Sequence, residues 1–144
     1  MALARSLDAL CDLEEIKQCK ARYFRLIDMK LWDELADVFT DDVRANFNRE
    51  DLPPIVGPQD TIATLRRIEP PVSIHHGHTP EIDLTSATTA TGVWQSFSMR
   101  ALTEQIGERD RCTYGLYWED YRKGDDGVWR ISSIRFQRLH RQEL

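Results

Sequence analysis

The sequence predicts an α+β domain, with helices in the first half and an antiparallel sheet in the second. Apolar residues recur at helical spacing through the first third. From residue 72 onward the chain reads as one β run after another, each bounded by turn residues. The segment Lys123-Gly124-Asp125-Asp126-Gly127 joins the last two runs as a hairpin turn.

In chain order, Asp12 followed by Glu15 resembles a capping box that opens a first helix. Leu13, Ile16, Ala21, Phe24 and Ile27 form its apolar stripe, and the helix is expected to end near Lys30. A second helix carries Leu31, Leu35, Val38 and Phe39, closed by Thr40-Asp41-Asp42. Val43, Ala45 and Phe47 alternate with polar residues as a short strand, and 48–54 is a loop. Gly57-Pro58 opens a third helix with buried face Ile62, Leu65 and Ile68; Pro70-Pro71 stops it. Strands are expected over 72–84, 88–102, 111–123 and 128–139, with a weaker turn near Ser86-Ala87. A strongly curved sheet wrapped against the helices would enclose a pocket.

A chain of 144 residues is expected to form a single domain, 1–144, with a core that needs no staples. Its net charge of -5 argues against nucleic acid or acidic lipid as partner. No apolar run is long enough to span a membrane, and the opening residues lack the order of a leader. Cys11 and Cys19 lie eight apart on a helix, about 12 Å, too far to bridge. Three unpaired cysteines suggest reduced thiols and a cytoplasmic setting. Cys112 reads as a small core residue, and Arg109 and Arg111 as a solvated face.

Three of the four histidines, His75, His76 and His78, crowd into four positions. Imidazole is the group most easily poised to move protons near neutral pH. With regular alternation, His76 and His78 share one face with Pro80 and Ile82, and His75 points the other way. A bulge at Gly77 would change that. His76 and His78 have the spacing of a metal pair, but Glu81 comes too early for a third ligand, so no metal and no cofactor is expected. Asp28 lies in the last turn of the first helix, where its charge opposes the helix dipole at a cost of about 0.3–1 kcal/mol unless a cation or donor is near. Tyr23, five residues earlier, brings a hydroxyl at about 140° around the helix. Trp32, Phe47, Trp94, Phe97, Tyr114, Tyr117 and Phe136 are candidates to shape an apolar pocket, while Trp118 and Trp129 read as core or interface.

Ala21-Arg22-Tyr23, Ile27-Asp28, Trp32-Asp33-Glu34-Leu35 and Phe39-Thr40-Asp41-Asp42 resemble the opening of SnoaL-like proteins. Ser73-Ile74-His75 through Pro80-Glu81-Ile82 resembles their histidine strand, and Gly115 through Tyr117, Asp120-Tyr121 and Gly127 through Ile131 their last hairpin. The resemblance, to the nuclear-transport-factor-like superfamily, implies a cone-shaped α+β barrel: N-terminal helices packed in a strongly curved, mostly antiparallel sheet. It implies a homo-oligomer, a trimer or alternatively a dimer. Its dehydratase and dehydrochlorinase members use an aspartate–histidine dyad, whose matching positions are Asp28 and His75; Tyr23 matches a dehydratase tyrosine. A basic residue on the last strand is common there, and Arg135 is its candidate. The resemblance thus implies catalytic Asp28, His75 and Tyr23. His76, His78, Trp32, Phe47, Trp94, Tyr114, Tyr117 and Arg135 stand as substrate-binding candidates. The implied activity is that of a small cofactor-independent lyase acting on a hydrophobic cyclic hydroxy-carbonyl compound. An isomerase or cyclase using the same pocket, or a non-catalytic ligand-binding domain, are the alternatives.

Overall fold

The computed structural model describes residues 6–48, 51–102 and 109–144. Residues 1–5 of the opening read for a leader, and 49–50 of the loop expected over 48–54, lie outside the described residues.

Helix α1 (Leu7–Asp28) starts earlier than the capping-box reading placed it. Ser6 is the cap, its Oγ accepting the Ala9 N–H at 3.1 Å. Asp12 instead accepts from Trp129 Nε1 at 2.8 Å and from Lys123 Nζ at 2.9 Å, tying the helix to the last hairpin. Helix α2 (Trp32–Leu35) is one turn long and runs into a 3₁₀ turn, Ala36–Val38. Strand β1 (Phe39–Phe47) then begins at Phe39, where the sequence reading kept a helix. Pairing of Phe39 with Ile131 overrides the local helical pattern.

A two-residue strand, β2 (Ile55–Val56), precedes helix α3 (Pro58–Ile68). Four long strands follow: β3 (Val72–Leu84), β4 (Thr89–Ala101), β5 (Arg111–Lys123) and β6 (Trp129–Glu143). The sheet order is β2-β1-β6-β5-β4-β3, antiparallel throughout except for the parallel β1–β6 pair. The sheet is curled and open, and α1 lies in its concavity. At the β5–β6 hairpin, Gly127 takes a φ of 78°, a left-handed conformation that glycine adopts without strain.

Three bulges set which side chains point inward. In β3 one extra residue lies between the pairs His78–Gln95 and Glu81–Val93, so the alternation breaks around Thr79 rather than at Gly77. Thr79 has a φ of 37°. In β6 the register skips Ser132 and again Leu139. Each skip reverses the inward phase of all that follows.

The buried stripe of α1 is Ile16, Cys19, Lys20, Tyr23, Phe24, Leu26 and Ile27, the i, i+3, i+4, i+7 face of an enclosed helix. A lysine within that stripe must be paired. Lys20 Nζ meets Glu119 Oε1 of β5, with the two side chains 1% and 0% exposed. The ammonium also lies 3.5 Å from the Tyr117 ring centroid and 4.4 Å from those of Tyr23 and Phe24. Tyr121 donates its hydroxyl to Glu119 Oε2, and Trp94 Nε1 donates to the Tyr121 hydroxyl at 2.9 Å. Burial pushes the Lys20 ammonium below its usual range, and the Glu119 carboxylate opposes that shift.

Removing one partner of this pair strands the other. Lys20→Met and Glu119→Gln are each expected to cost about 3–5 kcal/mol in urea unfolding. The double variant should lose less than their sum by at least about 1 kcal/mol; strictly additive losses would show that the pair contributes nothing jointly.

Candidate active site

Helix α1 ends in a tight turn that fixes where Asp28 sits. Leu31 N–H donates to Leu26 O at 2.9 Å and Lys30 N–H to Ile27 O at 3.0 Å, a Schellman pattern. Lys30 takes the left-handed position, with φ 59°, and its Nζ bonds Ser73 Oγ at 2.6 Å. The helix end is thereby joined to β3 one strand repeat from His75.

Asp28 and His75 meet at two points. The His75 backbone N–H donates to Asp28 Oδ2 at 2.9 Å, and ring Nδ1 lies 2.6 Å from Asp28 Oδ1. An ionised carboxylate only accepts, so Nδ1 carries a proton, and in the neutral ring Nε2 presents a lone pair. The imidazole stacks on the Phe24 ring, centroids 5.8 Å apart and 9° from parallel. Gly77 permits this, because a Cβ there would stand 2.6 Å from Phe24 Cε2. Nε2 faces Glu69 Oε1 at 3.7 Å, beyond hydrogen-bond range but close enough to stabilise an imidazolium. Glu69 is held by Arg100, whose Nη2 donates to Oε1 at 2.5 Å.

Nε2 opens toward a cavity of about 230 Å³ between α1, α3 and the concave sheet face. Apolar walls come from Phe47, Leu65, Ile68, Tyr117 and Phe136, and polar ones from Tyr23, Ser98, Thr113, Glu69 and several arginines. The Tyr23 and Tyr117 rings meet edge to face, centroids 6.2 Å apart. Burial, with help from nearby carboxylates, pushes both phenols up, so each stays a neutral donor. A larger surface cleft of about 600 Å³ flanks the β5–β6 hairpin, lined by Asp41, Asp42 and Asp126 among others. Arg122 pairs with Asp42 there, and Arg130 with Asp126 at 2.7 Å. No histidine lines it.

The residues expected in a site divide. Tyr23, Asp28 and His75 come together; Asp28 stands behind the imidazole, while Tyr23 and His75 face the cavity with Phe47 and Tyr117. His76, His78, Tyr114 and Arg135 lie on the outer sheet face. There His76 packs against His78 and Phe97, Tyr114 against Phe97 and His140, and Arg135 5.3 Å over the Trp118 ring. Arg135 would point inward under regular alternation from Ile131, but the bulge at Ser132 turns it out and brings in Phe136 and Arg138. Trp94 lines a second groove, between α1 and β3, which Asp28 and His75 also border, and Trp32 a shallow one beside Lys30 and Arg66.

The cavity also contains residues the sequence reading passed over. Glu69 falls on the apolar stripe Ile62–Leu65 continued by one turn, and that position was its signal. Arg100 shares the inward phase of Ser96 and Ser98. Arg111, read as solvated, is half-buried and lines the cavity opposite Arg100, because β5 begins inside the mouth.

Three of the four tyrosines, Tyr23, Tyr117 and Tyr121, have phenols raised by burial. Unfolded phenols ionise near pH 10. The folded chain therefore holds more protons than the unfolded one above that pH. Stability from this source is complete below about pH 10 and falls as pH rises further. An alkaline absorbance titration should show these three phenolates appearing only with loss of fold. Their ionisation near pH 10 in folded protein would contradict their burial.

The chain is structurally similar to a putative scytalone dehydratase from Novosphingobium aromaticivorans, with a TM-score of 0.83 at 20% identity, covering 95% of this chain and 90% of that one. It is similarly close to hexachlorocyclohexane dehydrochlorinase LinA-type3 from Novosphingobium barchaimii, with a TM-score of 0.84 at 20% identity, covering 96% and 93%. ActVI-ORFA from Streptomyces coelicolor matches at 0.68 and 14%, covering 89% and 97%. These likenesses establish the cone-like fold. The SnoaL-like domain model matches residues 8–135, nearly the whole chain, and the protein belongs to that family.

Proposed function

We propose that the protein is a small lyase of the dehydratase type, in which His75 removes a carbon-bound proton next to a carbonyl. The observation that carries this reading is the two-point Asp28–His75 contact, which leaves Nε2 as a bare base facing the cavity. As the proton transfers, Asp28 stabilises the imidazolium through Nδ1–H, and Glu69 adds negative charge on the far side. Tyr23, kept neutral by burial, donates to the carbonyl oxygen as charge builds there. The imidazolium then returns its proton to the leaving hydroxyl. Every proton in this scheme moves between substrate and the protein's own side chains, so it needs no cofactor.

The cavity is slightly smaller than the ~300–1,000 Å³ usual for ligand pockets. That favours a one- or two-ring hydroxy-carbonyl compound over a four-ring one. Similarity to proteins described as a dehydratase and a dehydrochlorinase supports elimination chemistry as the class. The same reading carries a homo-oligomer, a trimer before a dimer. Ile74, Tyr114 and Trp118, about two-fifths exposed on the outer sheet face, offer it a surface. Sedimentation at micromolar concentration should give a multiple of 16.8 kDa, and a monomer would remove this part.

The test is chemical. Two-ring β-hydroxy ketones, 3-hydroxy-1-tetralone and a carboxylated analogue, would be incubated in D₂O and followed by mass spectrometry. Wild type should lose water from at least one, giving the corresponding naphthol. His75→Ala and Asp28→Asn should each be slower by about 10²–10⁴-fold. Exchange of the α-hydrogen without water loss would favour an isomerase. Neither exchange nor loss, with the probe bound, would favour a binding domain.

A further inference from the structure

The chain is acidic overall, at -5, yet one place in it is strongly basic. Arg100, Arg111, Arg138 and Arg141 all line the cavity in front of His75, against one lining carboxylate among the described residues, Glu69. They come from three adjacent strands. Arg100 of β4 and Arg111 of β5 are direct cross-strand partners. An anion seated between them would meet a guanidinium from each strand. Arg138 and Arg141 follow on β6, the second brought inward by the bulge at Leu139.

The inner end of the cavity adds a second, independent observation. Glu69 Oε2 and Arg100 Nε are buried and have no hydrogen-bond partner among the described residues. The Glu69 side chain is 2% exposed. Buried polar atoms of this kind are costly unless paired. One calls for a donor such as a hydroxyl, the other for an acceptor oxygen, within reach of the base at His75.

We propose that the molecule taken by this site is an anion: a small ring compound carrying a carboxylate or a phosphate ester beside its hydroxyl and carbonyl groups. The anionic group binds among Arg111, Arg138 and Arg141 at the mouth, since guanidinium matches both oxyanions in a bidentate way. The ring lies against Tyr117 and Phe136, and the hydroxyl end reaches Glu69 Oε2. This inference rests on the reading of the cavity as the substrate site and sharpens the substrate from a neutral apolar compound to a charged one.

The experiment is calorimetric titration of the full chain with 2-naphthoate, 2-naphthyl phosphate and neutral 2-naphthamide. At least one anion should bind about tenfold or more tightly than the amide, and its affinity should fall as salt rises. The tighter of the two identifies the head group, and either result supports the proposal. Arg138→Gln/Arg141→Gln should lower affinity for the anion about tenfold and leave that for the amide unchanged, with far-UV circular dichroism confirming the fold. Equal binding of amide and anions, or equal loss of both in the variant, would overturn the proposal. The tetralone assay separates this from the catalytic reading. Anion preference without dehydration removes the Asp28–His75 mechanism alone, while dehydration without anion preference removes the charged substrate alone.

Discussion

One contact holds the site together: both oxygens of Asp28 are claimed by His75, one by its backbone N–H and one by its ring. The two points fix position and protonation together. The backbone bond sets the register of β3 against the end of α1, and the ring bond fixes the tautomer. A one-residue change in helix length would rotate the carboxylate by about 100° and break both. The Schellman turn at Lys30, a left-handed position more often given to glycine, is the device that stops the helix at the required residue. The contact also removes the penalty of a carboxylate at a helix C-terminus, because an N–H and an imidazole lie where a donor is needed.

Behind that contact lies a second constraint. Lys20 and Glu119 place a full ion pair in the core, and the aromatic rings around the ammonium are those of Tyr23, Phe24 and Tyr117. Those three rings also border the site: Phe24 stacks on the imidazole, while Tyr23 and Tyr117 face the cavity. The low-dielectric surroundings that make the ion pair demanding also keep the phenols neutral. Core and site are thus one network read from two sides.

Periodicity alone carried much of this architecture. The apolar spacing in α1 and the four β runs located the helices and the sheet, and alternation separated His75 from His76 and His78. The resemblance to SnoaL-like proteins brought Tyr23, Asp28 and His75 to one place. What the sequence could not supply were the phase reversals. A bulge adds one residue without any marked local signal, and the skip at Ser132 is why Arg138, not Arg135, lies inside. The helical pattern through Phe39 likewise gave way to pairing with β6, a partner about ninety positions on. Arg111 reads as solvated in the sequence because its burial depends on where β5 enters the mouth, which is a property of the curled sheet and not of its neighbours in sequence.

Asp28 is expected to hold His75 as the Nδ1–H tautomer with a bare Nε2 toward the cavity. A long-range ¹H–¹⁵N correlation spectrum of histidine side chains at neutral pH reads this directly, with His75 assigned by loss of its signals in His75→Gln. A protonated Nδ1 and an unprotonated Nε2 are expected, with that preference lost in Asp28→Ala. A wild-type spectrum with the proton on Nε2, or one unchanged by loss of the Asp28 carboxylate, would contradict it.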